Sequence, residues 1–240
     1  MNIVLAGYGK MGQMVESIAI ERGHDVILKI DVDNLDDFNP AKLEKACVVI
    51  EFTKPETAFD NVIRCIECGV PIVSGTTGWY ARLEEAKKFC IERNGSMLCT
   101  SNFSLGVNIF FEINRQLARI MNRFPEYSAN IEETHHTQKL DAPSGTAITL
   151  AEDVINEIDR IEKWKLADDD SGNHAVLPIQ AIRKDNIPGT HSVKYSSAID
   201  DIEIIHTARN RKGFALGAVL AAEYIYERKG VFTMRDLLEI

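Results

Sequence analysis

Apolar positions along the chain follow two periods, and the change between them divides it. Over the first hundred residues, short continuous apolar runs alternate with stretches whose apolar residues recur every three or four positions. The runs at 3–6, 26–30, 48–52, 70–74 and 97–100 predict strands. The stretch 10–22, with Met11, Met14, Val15, Ile18 and Ala19 on one face, predicts a helix that Gly23 ends. Segments 55–68, with Pro55 in its first turn, and 79–93 predict two more. Residues 33–46 carry a weaker pattern and read as loop with a short helix. Strands alternating with helices predict an α/β, Rossmann-type doubly wound parallel sheet.

After Ser101 the order changes. A long helix is predicted over 105–123, an extended strand over 127–137 and a helix over 147–161. An exposed loop is predicted over 163–173, with the run Asp168-Asp169-Asp170. Strands follow at 176–183, 191–197 and 201–208, then a strongly apolar helix at 214–228 whose Ala- and Gly-rich face suggests close packing back on the first domain. Strands beside two helices predict a C-terminal α+β domain with an open mixed sheet. The expected division is a dinucleotide-binding domain at 1–103, completed by 214–240, and a substrate domain at 104–213. Two chain crossings, near 102 and 213, would join them, for which hinge motion is the default.

Composition narrows the function classes. A net charge of −9 and a pI near 5.2 argue against a nucleic-acid surface. No apolar run approaches 18 residues, so no membrane span is expected. Met1 leads straight into the first strand without a basic-then-apolar leader, so the cytoplasm is the expected compartment. The five cysteines suggest no disulfide framework, and Cys65-Ile66-Glu67-Cys68 falls late in its helix, where no dipole activates a thiol.

Gly7-Tyr8-Gly9-Lys10-Met11-Gly12 matches G-x-G-x-x-G between a strand and a helix. Gly7 permits the tight turn, Gly9 lets the backbone approach a pyrophosphate, and Gly12 allows close helix–strand packing. The helix N-terminus offers free N–H groups to the phosphates. Asp31 ends the second strand, 19 residues after Gly12. A carboxylate there accepts hydrogen bonds from an adenosine ribose and repels a 2′-phosphate, which predicts NADH in preference to NADPH. Lys29 could soften that preference, and Asp31 could instead cap a loop. Phe52-Thr53-Lys54-Pro55, Gly75-Thr76-Thr77-Gly78 and Thr100-Ser101-Asn102-Phe103 follow strands three, four and five. They suit a nicotinamide ribose and ring, or plain turn chemistry.

Residues 133–147 pack two histidines and a lysine into five positions, followed by Pro, Ser and Gly at the start of a helix. Adjacent residues on a strand point to opposite faces, so His135 and His136 are ill placed to chelate one metal, and no metal site is expected. Histidine can donate a proton near neutrality, and Lys139 is a compact cation for a carboxylate or a second proton source. Gly145-Thr146 at a helix start makes a carboxylate seat. Asp141 or Ser144 could serve only as a helix cap.

His135-His136-x-x-Lys139-x-Asp141-Ala142-Pro143-Ser144-Gly145-Thr146-Ala147 closely resembles the signature of the 4-hydroxy-tetrahydrodipicolinate reductase (dihydrodipicolinate reductase) family of bacterial lysine biosynthesis. The likeness runs over nearly the whole chain, through the Gly7–Gly12 loop, Phe52–Pro55, Gly75–Gly78, Ser101–Asn108 and Phe214–Ala218. It implies reduction of a cyclic dicarboxylate by NADH or NADPH. His135 would be the proton donor and Lys139 its catalytic partner. His136, Gly145 and Thr146 would hold the substrate carboxylates. Gly7–Gly12, Asp31, Gly75-Thr76-Thr77 and Thr100-Ser101-Asn102-Phe103 would bind cofactor, with Arg211 near it. A cytoplasmic homotetramer, joined through the second domain's sheet, is also implied. This chain departs from the family in a compact first loop, a less basic Thr137-Gln138 pair, and few glycines over 183–191. Two other readings stand beside this one. A different two-domain nicotinamide-dependent dehydrogenase, acting on a semialdehyde or imino acid, would not need the His-His-x-x-Lys cluster. A catalytically silent dinucleotide sensor would keep only the glycine loop.

Overall fold

The computed structural model describes residues 1–166 and 175–240 and divides into two compact units, Met1–Leu105 with Lys212–Ile240, and Gly106–Arg211. In the first unit six parallel strands form one sheet. They are β1 (Asn2–Ala6), β2 (Asp25–Ile30), β3 (Val48–Glu51), β4 (Ile72–Ser74), β5 (Ser96–Cys99) and a late strand, Gly230–Phe232, in the order late strand–β5–β4–β3–β1–β2. β1, β3, β4 and β5 are buried almost throughout, as strands of a parallel sheet covered on both faces must be.

Alternation along each strand sorts these side chains into two cores. Ile3, Leu5, Ile50, Val73 and Leu98 pack with helix α1 (Lys10–Glu21). Val4, Ala6, Val49, Ile72 and Met97 pack on the other face, with α3 (Pro55–Glu67) and α4 (Leu83–Glu92). A four-residue α2 (Pro40–Leu43), capped by the Asn39 side chain, lies in the β2–β3 connection. All five sequence-predicted strands of this unit are present, and every β-to-α loop leaves the same, C-terminal edge of the sheet.

The second unit contains most of α5 (Leu105–Met121), then β6 (Ser128–His135), α6 (Gly145–Glu157), β7 (Lys163–Leu166), β8 (Val176–Arg183), β9 (Gly189–Ser196) and β10 (Asp201–Ala208). Its sheet is mixed, in the order β10-β9-β6-β8-β7. β6 runs parallel to β8 and antiparallel to β9. Ile131, Leu177, Ile179, Val193 and Tyr195 form the buried face against Phe110, Ala118 and Met121 of α5 and Leu150, Ala151 and Val154 of α6.

The remaining helix, α7 (Lys212–Ile225), belongs to the first core, followed by β11, the late strand Gly230–Phe232, and α8 (Met234–Leu238). Neither β11 nor α8 is legible as a period, because three and five residues are too few. α8 is held by a capping box between Thr233 and Asp236. Residues 163–166 are a correction. They read as part of the exposed loop that runs into the acidic residues 168–170, but the four-residue alternation Lys163-Trp164-Lys165-Leu166 pairs with β8 as β7. The acidic run 168–170 lies outside the described residues. The helix expected at 147–161 begins two residues earlier, where Ser144 caps it, and ends at Glu157.

α7 packs closely because of Gly217. A Cβ there would stand 1.7 Å from the Phe103 carbonyl oxygen, which is backbone and cannot yield, whereas a Cβ at Gly213 of the same helix would meet only the Ser104 hydroxyl at 3.7 Å. Gly217→Ala is expected to cost about 1–3 kcal/mol and to lower Tm by several degrees. Gly213→Ala should be neutral or slightly stabilising through helix propensity. Thermal denaturation of both variants checks this, and equal effects would contradict it.

Candidate active site

The glycine loop is built as a phosphate cradle requires. Gly7 has φ +89°, and a Cβ on it would lie 2.0 Å from the Phe52 carbonyl oxygen. A Cβ on Gly12 would lie 2.2 Å from the Gly7 carbonyl oxygen, so only glycine lets α1 start this close to the loop. Around Gly9 no protein atom lies within 4 Å of the Cβ position, and Gly9 is the N-cap of α1 with no side-chain cap. The loop is therefore packed shut behind and open in front, where the first N–H groups of α1 are unsatisfied. Lys10 is exposed and Met11 half-buried.

Asp31 stands at the end of β2. Its carboxylate accepts from the Tyr8 N–H at 3.2 Å and the Val32 N–H at 2.8 Å, so it ties the glycine loop to β2. Lys29 is engaged elsewhere. Its Nζ lies 2.5 Å from Glu16 of α1 and 3.1 Å from the Tyr8 hydroxyl, which itself donates to Glu16. The Glu16 hydrogen bond raises the Lys29 pKa, and the reciprocal bond from Lys29, with that from Tyr8, lowers the Glu16 carboxyl.

At the ends of β3 and β4 lies a residue with no role foreseen from sequence. Glu51 is fully buried. It accepts from the Thr53 N–H (3.0 Å), the Ser74 hydroxyl (2.5 Å), the Thr76 hydroxyl (2.8 Å) and the Thr53 hydroxyl. Among the described residues no cation pairs with it. The Thr76 side chain is thereby committed to Glu51, while Thr77 is exposed. A Cβ at Gly75 would lie 2.1 Å from the Phe52 ring. In the β5 loop, Thr100 accepts from the Asn102 N–H at 3.2 Å, Asn102 accepts from the Ser104 N–H at 2.9 Å, and Ser101 is exposed. Phe103 is 2% exposed and sits in the first core, its ring 5.9 Å from that of Phe52. Its side chain shapes the loop from beneath.

In the second unit, His135 is the last residue of β6 and is buried, while His136, just beyond, is half-buried. Lys139 holds both Asp141 carboxylate oxygens at 2.8 Å. Ser144 caps α6 through its hydroxyl, which accepts from the Ala147 N–H at 3.2 Å. Gly145 and Thr146 are the first two residues of α6, and their N–H groups have no intrahelical acceptor. No side chain crowds Gly145, because nothing lies within 4 Å of its Cβ position.

The residue that links these pieces is Glu133. On β6 the residues Ile131, Glu133 and His135 share the buried face. Glu133 is fully buried. Both its oxygens accept from the Ser144 N–H at 3.1 Å, and one also accepts from the Arg183 guanidinium at 3.1 Å. The imidazoles of His135 and His191 approach it to 3.5 and 3.6 Å. The sheet register makes this meeting, with Glu133 opposite His191 of β9 and His135 opposite Arg183 of β8. Arg183 also donates to the Asp141 carbonyl at 2.5 Å and the Lys139 carbonyl at 3.4 Å. The same β9 start must be small, because a Cβ at Gly189 would stand 3.0 Å from His135 Nε2. Glu133, His135 and His191 bring three potential ligand atoms within 4.8 Å, but the Arg183 guanidinium already supplies the positive charge against Glu133.

Burial drives the Glu133 carboxyl upward. The neighbouring His191, the Ser144 N–H, Arg183 and the His135 ring outweigh that effect and hold it down, at about 2. Burial lowers His135 to about 4. Glu133 opposes this, and His191, Lys139 and Arg183 add to it. Folding thus favours neutral His135. Its contribution to stability is full above pH 6.5 and is lost as the pH falls through 4.

Sequence reasoning named His135 and Lys139 but assigned no role to Glu133 or His191. Glu133 could have been found, since residues i and i+2 of a strand share a face. His191 and the partnership with Arg183 depend on pairings that no local pattern encodes. Arg211 is exposed and is the last residue of the second unit. All five cysteines are free, and burial pushes the thiols of Cys65 and Cys68 upward, as expected for packed rather than redox-active groups.

A family model described as dihydrodipicolinate reductase, N-terminus, matches residues 1–103, and one described as dihydrodipicolinate reductase, C-terminus, matches 106–238. A 4-hydroxy-tetrahydrodipicolinate reductase of Christiangramia forsetii is 47% identical over 239 residues, covering 99% of this chain and 98% of its own. One from Neisseria gonorrhoeae is 32% identical over 228 residues, covering 93% and 83%. Among solved structures, a dipicolinate-bound dihydrodipicolinate reductase from Paenisporosarcina sp. TG-14 shares the fold, with a TM-score of 0.78 at 20% identity over 97% of both chains.

Proposed function

The chain belongs to the dihydrodipicolinate reductase family, and from that premise we propose how its own residues carry out the family's reaction. It is an NAD(P)H-dependent oxidoreductase, a 4-hydroxy-tetrahydrodipicolinate reductase of lysine biosynthesis. The reaction reduces a cyclic dicarboxylate to tetrahydrodipicolinate with loss of water. The observation that carries the assignment of residues is the gathering of His135, the Lys139 loop and the open start of α6 around one buried carboxylate.

When bound, the reduced nicotinamide supplies the hydride. The open face of Gly9 and the first N–H groups of α1 hold the pyrophosphate. Gly75-Thr76-Thr77 and Thr100-Ser101-Asn102-Phe103 carry the nicotinamide half through backbone and exposed hydroxyls. This reading is supported by Thr76 and Phe103 being turned to Glu51 and the core. The N–H groups of Gly145 and Thr146, with the Thr146 hydroxyl, seat one substrate carboxylate. His136 and the Lys139 ammonium meet the other, Lys139 exchanging Asp141 for it. His135 is neutral in the free enzyme at pH 7. Arrival of a dianion raises its proton affinity, so the imidazole takes up its proton with the substrate and donates it to the ring as the hydride arrives. A cytoplasmic homotetramer, with Arg211 near the cofactor, is proposed on the family resemblance alone.

NADH is proposed as the preferred cofactor. Asp31 places a negative charge where a 2′-phosphate would sit, and Lys29, the nearby cation, is held by Glu16.

Two measurements test these assignments. His135→Ala and Lys139→Ala should each lower kcat by about 10²–10⁴-fold while leaving the KM for the nicotinamide cofactor nearly unchanged. Loss of reduced-nicotinamide absorbance with freshly generated substrate provides the readout, and wild-type turnover in both variants would reject the site. For the cofactor, kcat/KM should favour NADH in the wild type. Glu16→Gln, by releasing Lys29, should narrow the ratio by a few-fold, the scale of an exposed ion pair. A wild-type preference for NADPH would overturn the Asp31 reading.

A further inference from the structure

We propose that Glu133 is a positioning residue of the reduction. Its carboxylate orients His135 and sets that imidazole's readiness to take a proton, while fixing the Lys139 loop through Arg183 and the substrate-binding start of α6 through the Ser144 N–H. This rests on the assignment of His135 as proton donor and Lys139 as its partner.

Geometry carries the inference. A fully buried carboxylate is retained only where its partners compensate for lost hydration. The partners of Glu133 are not generic core groups. Each precedes, bonds or packs against a segment that presents a site residue. The Ser144 N–H immediately precedes Gly145 and Thr146. The Arg183 guanidinium bridges Glu133 to the backbone of Lys139 and Asp141. His135 sits two residues along the same strand on the same face, Nδ1 3.5 Å from the carboxylate, and this Nδ1 is buried with no hydrogen-bond partner. The imidazole therefore has one charge to turn toward and no competing acceptor among the described residues. Protonating the ring places a proton on Nδ1 facing Glu133, which leaves the Nε2 edge as the donor. His191 packs on the ring, centroids 4.9 Å apart, and Gly189 lies at the Nε2 edge, where a Cβ would stand 3.0 Å from Nε2, so glycine keeps that edge clear of a side chain.

The charges facing His135 act in opposite senses. Glu133 on β6 favours the imidazolium, whereas His191 on β9, Arg183 on β8 and Lys139 in the following loop disfavour it. Lys139 is in turn paired with Asp141, and His206 on β10 lies beyond His191. Among the described residues acting on His135, Glu133 is therefore the group that stabilises its proton. Removing it and removing Arg183 must move the imidazole in opposite directions, which a purely structural role would not do.

The experiment is the pH profile of kcat for the full-length enzyme and two variants, with folding checked by circular dichroism. Activity should fall on the alkaline side as His135 loses its proton. Glu133→Gln keeps an acceptor for Ser144 and Arg183 but removes the charge, and should lower kcat and shift the alkaline limb down by about one pH unit. Arg183→Gln should lower kcat but shift the limb upward. If Glu133→Gln does not fold, Glu133→Asp takes its place, with a smaller downward shift expected because the charge is withdrawn by one methylene. Reduced turnover with the limb unmoved in the variants, or moved the same way in both, overturns the proposal. His135→Ala and Lys139→Ala run alongside separate the two levels. If they retain activity, the assignment of the site fails. If they lose it while the limb stays fixed in the Glu133 and Arg183 variants, only the role of Glu133 fails.

Discussion

A carboxylate with no exposure to water organises the second unit of this enzyme. Burying Glu133 without partners would be prohibitive, and losing one partner of a buried ion pair costs about 3–5 kcal/mol. The fold meets this cost with Arg183, the Ser144 N–H and two imidazoles, drawn from β6, β8, β9 and the cap of α6. The same contacts fix His135 on β6, the Lys139 loop through Arg183, and the start of α6 through Ser144. Stability and preorganisation therefore come from the same contacts, and the site is held by a polar hub on a sheet rather than by its loop.

The first unit solves a similar problem differently. Glu51 is equally buried, yet its donors are an N–H and three hydroxyls, with no cation among the described residues. The consequence is an allocation of chemistry. Side chains of Thr53, Ser74 and Thr76 are spent on fixing the loops after β3 and β4. With Gly7 and Gly12 packed against backbone and Gly9 left open, what the glycine loop offers at its open face is mainly main-chain groups.

How much of this was legible in the sequence depends on the range of the interaction. Periodicity located the strands and helices of the parallel sheet, because buried strands there are continuous apolar runs and each helix presents an apolar stripe. It missed β7, β11 and α8, which at three to five residues are too short to show a period. Gly7, Gly9 and Gly12 could be given separate tasks from spacing alone, since each task is local. His135 and Lys139 stood out by composition and by family resemblance. The hub did not, because bringing Arg183 and His191 to Glu133 requires the register of β6 with β8 and β9, which joins residues about fifty positions apart.

The most direct measurement is the protonation state of the His135 imidazole itself, followed by nitrogen-15 NMR with pyridine-2,6-dicarboxylate as the probe. In the free enzyme the ring should stay neutral down to about pH 4. With the dicarboxylate bound it should be protonated near neutrality, the proton on Nδ1 facing Glu133. An imidazole that titrates near its ordinary value in the free enzyme and is unaffected by the dicarboxylate would contradict the central claim.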